Sequence, residues 1–203
     1  MTNQEYTHLT LVVDRSGSMR STCEAAQEGI TQLLKEQFSL EGKFSVTLVE
    51  FDDVIDTVFR LSSTPQEYTL IPRNGTALFD AVGSELVATG EDLARLTEDD
   101  RPGKVVFVIV TDGAENASKK YNLAQVRTLI AEQTEKYQWT FQFIGAGESA
   151  WQGEAMGVRS ASYDGSAQGM TNSYIAMSAS LREFRERPDA STGLNLADID
   201  NLN

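Results

Sequence analysis

Apolar and polar positions along this chain follow two rhythms that alternate from one end to the other. His8–Asp14 (HLTLVVD) is a short aliphatic run of the kind that makes a buried strand. Met19–Phe38 then sets Cys23, Ala26, Ile30, Leu33, Leu34 and Phe38 three or four positions apart, which places them on one helical face, and Gly42 is a stop signal just beyond. Phe44–Phe51 and Val54–Leu61 read as strands joined by two residues. That link is too short for a parallel crossover and predicts a hairpin. Ser62–Gly75, with Pro65 and Pro72, reads as a loop leading to Thr76, which opens a helix with the stripe Leu78, Val82, Leu86, Leu93 and Leu96.

The alternation continues after the polar break at Thr97–Gly103. Lys104–Val110 is predicted as the central strand, and Asn122 with Gln125 three residues on forms a capping signature for a helix carrying Leu123, Val126, Ile130 and Tyr137. Trp139–Ile144 is a further strand, Trp151–Met156 a short helix and Ser160–Tyr163 a short last strand. Ala167, Met170, Tyr174, Met177, Leu181 and Phe184 mark the core face of a final helix. Strands alternating with helices predict an α/β fold: a doubly wound, mostly parallel central sheet with one antiparallel edge strand and helices on both faces.

At 203 residues and 40% hydrophobic, the chain is the right size for one core. The expected division is a domain over residues 1–186 and a polar C-terminal tail over 187–203, flexible or loosely docked, because RPDASTGLNLADIDNLN has little to bury. A net charge of −13 argues against nucleic acid as a partner, since Lys and Arg are scattered, and favours cations. No run of eighteen apolar residues suggests a membrane span, and MTNQEYTHLT lacks a secretory pattern, so a cytoplasmic location is expected. The sequons Asn74-Gly75-Thr76 and Asn116-Ala117-Ser118 agree, because glycans there would crowd the residues considered next. Cys23 has no disulfide partner in the chain and reads as a buried small hydrophobe.

Five residues carry the candidate chemistry: Asp14, Ser16 and Ser18 in VVDRSGSM, Thr76 in NGTALFDA, and Asp112 in FVIVTDG. Two carboxylates and three hydroxyls are hard ligands that suit Mg²⁺, Mn²⁺ or Ca²⁺ and suit zinc or copper poorly. Both aspartates follow buried-strand patterns, so they leave the sheet at its carboxyl edge, where ligands bind in open parallel sheets. Glu115, Asn116 and Glu148 are rim candidates, with solvated surface as their plain alternative.

Other chemistries fit less well. His8 is the only histidine and lies at the start of the first strand, far from Ser/Asp partners at its end, so a surface or strand-edge role is expected rather than a triad. Gly145-Ala146-Gly147 lacks the third glycine of a dinucleotide loop, and no glycine-rich loop ends in Lys-Ser/Thr. The strongest enzymatic alternative is a Mg²⁺-dependent phosphohydrolase, with Arg15 and Lys119 as the nearest phosphate-binding groups.

Asp14-Arg15-Ser16-Gly17-Ser18, the distant Thr76 and the distant Asp112, in that order, resemble the von Willebrand factor A domain family with its metal-ion-dependent adhesion site. The resemblance covers roughly residues 6 to 186 and implies a Rossmann-like fold. It implies that Ser16, Ser18 and Thr76 contact a divalent ion directly, that Asp14 and Asp112 act largely through waters, and that one coordination position is left for a Glu or Asp of a protein partner. The implied role is a non-enzymatic adaptor or recruiting subunit, for instance within an ATPase-containing complex. A phage or bacterial surface-assembly component is the alternative.

Overall fold

The computed structural model describes residues 2–188 and 193–196, with Glu148 described by its backbone alone. Eleven main elements follow in order: β1 Asn3–Asp14, α1 Cys23–Ser39, β2 Lys43–Phe51, β3 Ile55–Ser62, α2 Leu78–Arg95, β4 Pro102–Thr111, α3 Leu123–Tyr137, β5 Thr140–Ala146, α4 Trp151–Met156, β6 Arg159–Tyr163 and α5 Ala167–Glu186. Short 3₁₀ turns at Gly17–Ser21 and Gly147–Ala150 follow β1 and β5.

The six strands form one sheet in the order β3-β2-β1-β4-β5-β6. All neighbours are parallel except β2 and β3, whose antiparallel hairpin makes β3 the odd edge strand. The doubly wound fold expected from the alternating pattern is therefore the observed one. Strand order reverses between β1 and β4, so the carboxyl ends of these two strands flank the crevice at the topological switch point.

Alternation along the strands splits the core in two. Leu9, Leu11 and Val13 of β1 join Val106, Val108 and Val110 of β4 beneath α1 and α5, where Ile30, Leu33, Met177 and Leu181 interdigitate. Val12, Phe107, Ile109 and Phe143 face the other way, onto Leu78, Val82 and Leu86 of α2 and Val126 and Ile130 of α3. Each expected helical stripe thus finds its sheet face.

Several expectations are corrected by packing. β1 begins at Asn3 rather than His8 and lies between two strands, so His8 is fully buried instead of at a surface or edge. Its ring bonds Ser45 Oγ at 2.7 Å and Thr10 Oγ1 at 3.3 Å. Burial, with the nearby Arg60 charge, lowers its pKa to about 3 and keeps the ring neutral. Cys23 is half-buried and donates to the Leu70 carbonyl at 3.2 Å. Tyr137, placed on the buried stripe of α3 by periodicity, is 62% exposed, because Trp139 two residues on takes the buried position.

The chain end also differs from the expected loose tail where it is described. Leu194 and Leu196 are buried against the α1/α5 side of the core, and the Asn195 N–H donates to Ser180 Oγ at 2.7 Å. The remainder of the expected tail, residues 189–192 and 197–203, lies outside the described residues. Among the described residues, no helix is long and apolar enough to cross a membrane.

Candidate metal centre

β1 ends in Asp14, whose Oδ1 accepts from the Ser16 N–H at 2.6 Å. This side-chain-to-backbone bond two residues on turns the chain sharply, as Asp does in Asx-turns, and starts the 3₁₀ turn that carries Ser18. Ser16 Oγ and Ser18 Oγ lie 3.0 Å apart, and Ser18 Oγ donates to Asp112 Oδ1 at 2.6 Å. Asp112 follows β4 directly, while Thr111, the last residue of β4, donates its hydroxyl to Asp14 Oδ2 at 2.5 Å.

Thr76 arrives from the long loop before α2. Its N–H donates to Asn116 Oδ1 at 3.0 Å, and its carbonyl accepts from the N–H groups of Asn116 at 3.0 Å and Ala117 at 3.2 Å. The preceding turn is tied to the first loop by Gly17 N–H to the Asn74 carbonyl, 3.2 Å, and Arg73 N–H to the Arg15 carbonyl, 2.8 Å. All five sequence-predicted residues therefore meet in the switch-point crevice.

Gly113 shows how close they come. A Cβ built there would lie 3.2 Å from Thr76 Oγ1, 3.4 Å from Ser18 Oγ and 3.7 Å from Asp14 Oδ2. Oxygens from two distant segments, the loop after β1 and the loop before α2, thus converge on one small space beside Gly113.

The electrostatics of this crevice favour a cation. Asp14 is completely buried and Asp112 is half-buried. Among the described residues neither carboxylate has a Lys, Arg or His partner. Burial raises the Asp14 pKa to about 6 against the opposing hydrogen bonds from Thr111 and Ser16, with the Asp112 charge adding to the rise. Burial likewise raises the Asp112 pKa. Tyr163, at the end of β6, has a buried hydroxyl with no hydrogen-bond partner among the described residues, and its pKa is raised by burial and then by the Asp112 and Asp14 charges. An orphaned phenol beside two uncompensated carboxylates and three hydroxyls fits a divalent cation with its waters. Among the described residues no three His, Cys, Asp or Glu side chains are arranged so that they could hold a metal ion by themselves, so hydroxyls carry much of the donor set.

Sequence reasoning missed the supports. Glu115 and the exposed Asn116 both brace the loops that carry the five residues, Asn116 through Thr76. The Glu115 carboxylate accepts from the N–H groups of Phe79 at 2.9 Å, Ala117 at 2.9 Å and Ser118 at 2.8 Å, and from Ser118 Oγ at 2.7 Å. It thereby caps the first turn of α2 from another loop, a service its own sequence neighbours do not reveal. Asp80 reciprocates by accepting from the N–H groups of Lys119, Lys120 and Tyr121 at 2.7–2.8 Å. The rim expectation for Glu148 concerns a side chain outside the described residues. Arg15, a candidate phosphate group by sequence, turns away from Asp14. Its guanidinium binds Glu50 at 3.0 Å, Asp52 at 3.1 Å and Asp56 at 2.5 Å.

The sheet order and the gathered oxygens together define a doubly wound α/β domain with a cluster of oxygen donors at its switch point. The von Willebrand factor type A domain model matches residues 9–115, more than half of the 203 residues, and the chain belongs to that family. The family's domains are chiefly adhesion and interaction modules.

Similar solved structures include a von Willebrand factor type A protein from Catenulispora acidiphila, at 17% identity and TM-score 0.62 over 86% of this chain and 42% of that one. The von Willebrand factor domain of the type V pilus tip protein Mfa5 from Porphyromonas gingivalis matches at 11% identity and TM-score 0.60, over 89% of this chain and 96% of that one. Proximal thread matrix protein 1 from the mussel byssus, whose metal-ion-dependent adhesion site holds zinc, matches at 17% identity and TM-score 0.60 over 87% and 48%. These likenesses establish the fold, and this chain spans less than half the length of the Catenulispora and byssus proteins. No curated protein matches the sequence.

Proposed function

We propose that this chain is a divalent-metal-dependent protein-binding module, with Asp14, Ser16, Ser18, Thr76 and Asp112 holding the ion. The observation that carries the reading is the space above Gly113, within 3.7 Å of oxygens from Asp14, Ser18 and Thr76. A bound divalent cation would supply an electrophilic centre able to accept a Glu or Asp carboxylate from another protein. The residues' own task is orientation. Thr111 and the Ser16 N–H hold both oxygens of Asp14, and Asp112 fixes the Ser18 hydroxyl. Mg²⁺ is the expected ion, with Mn²⁺ or Ca²⁺ as alternatives. The zinc in the byssus protein's site adds Zn²⁺ to the ions to be compared, against the expectation from donor hardness alone.

In this reading the chain serves as a cytoplasmic adaptor or recruiting subunit, with an ATPase-containing assembly as the partner to seek. Calorimetry with Mg²⁺, Mn²⁺, Ca²⁺ and Zn²⁺ tests the site. One equivalent should bind wild type and none should bind Asp112→Ala, whereas equal binding by both would refute the assignment. A pull-down in Mg²⁺ and again in excess chelator tests the partner mechanism, which undiminished capture in chelator would refute.

A further inference from the structure

We infer that Gln152 is a positioning residue for the metal centre, setting the separation between its Asp112 and Thr76 pieces; this rests on the metal reading above. Gln152 lies in the first turn of α4, is 1% exposed and uses its whole amide. Its Nε2 donates to the carbonyls of Gly113 at 2.9 Å and Ser149 at 3.1 Å, and its Oε1 accepts from the Glu115 N–H at 2.8 Å. One planar group therefore grips the loop on both sides of Ala114.

The two gripped residues lead to different parts of the centre. Gly113 adjoins Asp112 and floors the space shared by Thr76, Ser18 and Asp14. Glu115 caps α2 at Phe79, and its neighbour Asn116 bonds both the N–H and the carbonyl of Thr76. The spacing from Asp112 to Thr76 thus passes through the segment that Gln152 holds.

Proton counting sharpens the point. The Thr111 hydroxyl lies within reach of both Asp14 Oδ2, at 2.5 Å, and the Gly113 carbonyl, at 3.1 Å. It has one proton, and the shorter contact to a carboxylate takes it. The Gly113 carbonyl then depends on Gln152 for its donor. Helix α4 reaches this depth because Gly153 packs against β5; a Cβ there would lie 2.5 Å from Phe143 Cβ.

Gln152→Glu and Gln152→Met distinguish positioning from its alternatives. Glutamate keeps an acceptor for the Glu115 N–H, loses both donors and adds negative charge near a cation site. Methionine fills similar space and loses every bond. If Gln152 positions the centre, both variants bind Mn²⁺ about ten- to a hundredfold more weakly, the range for groups that orient metal ligands. A purely electrostatic influence would make the Glu variant bind more tightly. A merely structural role would lower the melting temperature of both in chelator while leaving Mn²⁺ affinity as in wild type. Calorimetry is run at a temperature where far-UV spectra of both variants match wild type, with Glu154→Gln, exposed on the same helix, as the control expected to bind normally. Should either variant fail to fold, the other decides the question. Wild type and Asp112→Ala run in parallel. No Mn²⁺ uptake by wild type would refute the metal reading and this inference with it, whereas normal uptake by wild type with both Gln152 variants within twofold of it would overturn the positioning role alone.

Discussion

Asp14 and Arg15 are neighbours in sequence and belong to opposite kinds of polar cluster. Arg15 and Arg73 bind a set of acids: Asp52 accepts from both at 3.1 and 2.6 Å, Asp56 from both at 2.5 and 3.1 Å, and Glu50 from Arg15 at 3.0 Å. Asp14 and Asp112, one loop away, have hydroxyls and N–H groups about them but no cationic side chain among the described residues. The first cluster is closed, and its charges largely cancel. The second is left negative in a buried crevice, and in the proposed reading an external cation supplies the missing charge. Nearby cations are thus used to lock the loops, while the carboxylates that face the crevice stay uncompensated.

The largest effect is expected from opening the closed cluster. Arg15→Ala should cost about 3–5 kcal/mol of unfolding free energy in chelator, because it leaves the almost fully buried Glu50 without its counter-charge and the fully buried Asp52 with only the half-exposed Arg73. Urea denaturation measures this. A loss below 1 kcal/mol would show that the two clusters are not different in kind.

Neutralising the open cluster should act in the opposite direction. Asp14→Asn should stabilise the chelated protein by about 2–3 kcal/mol at pH 7.5, the free energy implied by a pKa raised from 3.8 to about 6. Thr111 would then turn its proton to the Gly113 carbonyl and accept from the new amide. The pH dependence follows from the same shift. With the folded pKa above the unfolded one, the contribution of Asp14 is fully present below about pH 4 and is lost as pH rises through about 6. His8 runs the other way. Its folded pKa of about 3 makes its contribution full above about pH 6.5 and lost on acidification towards 3. Melting curves from pH 4 to 8 in chelator should therefore show a shallower alkaline decline in Asp14→Asn, with the part due to Asp112 remaining, and keep the acid one. Wild-type Mn²⁺ affinity should fall about tenfold per unit below pH 6, as protons compete for Asp14.

A smaller effect is expected at Thr76. Thr76→Ala should weaken Mn²⁺ about tenfold, roughly 1.4 kcal/mol, with melting in chelator changed by no more than a few degrees, because backbone bonds to Asn116 hold the segment. Thr76→Ser should restore the affinity. The smallest belongs to Arg73→Ala, which should cost about 1 kcal/mol or less, since its side chain is 48% exposed and solvent screens its pairs. A loss comparable to that of Arg15→Ala would mean that Asp52 depends equally on both guanidiniums.

The legible parts of the sequence were those governed by short-range rules. Period-two and three-four spacing located the strands and helices because each must bury one face, and the Asn122/Gln125 capping box appears at α3 as expected. The five candidate residues could be picked out because two lie at the ends of aliphatic strands and one precedes a helix, positions that topology gathers at one sheet edge. Periodicity misled where the end of an element decides exposure, as at Tyr137, and where a polar residue lies in a strand with neighbours on both sides, as at His8.

By itself, then, the sequence determined the alternation of strands and helices and the single antiparallel hairpin, because each follows from residue type and spacing within neighbouring elements, and it singled out the candidate oxygen donors by residue type. Only the tertiary structure decided that Arg15 faces Glu50, Asp52 and Asp56 while Asp14 faces a crevice, that Glu115 caps a helix begun more than thirty residues earlier, and that Gln152 holds the loop beside Asp112. Those partners are separated by 35 to 41 positions. Their meeting depends on strand order and loop closure, and no local pattern records which distant segment will satisfy a given buried N–H, carbonyl or charge.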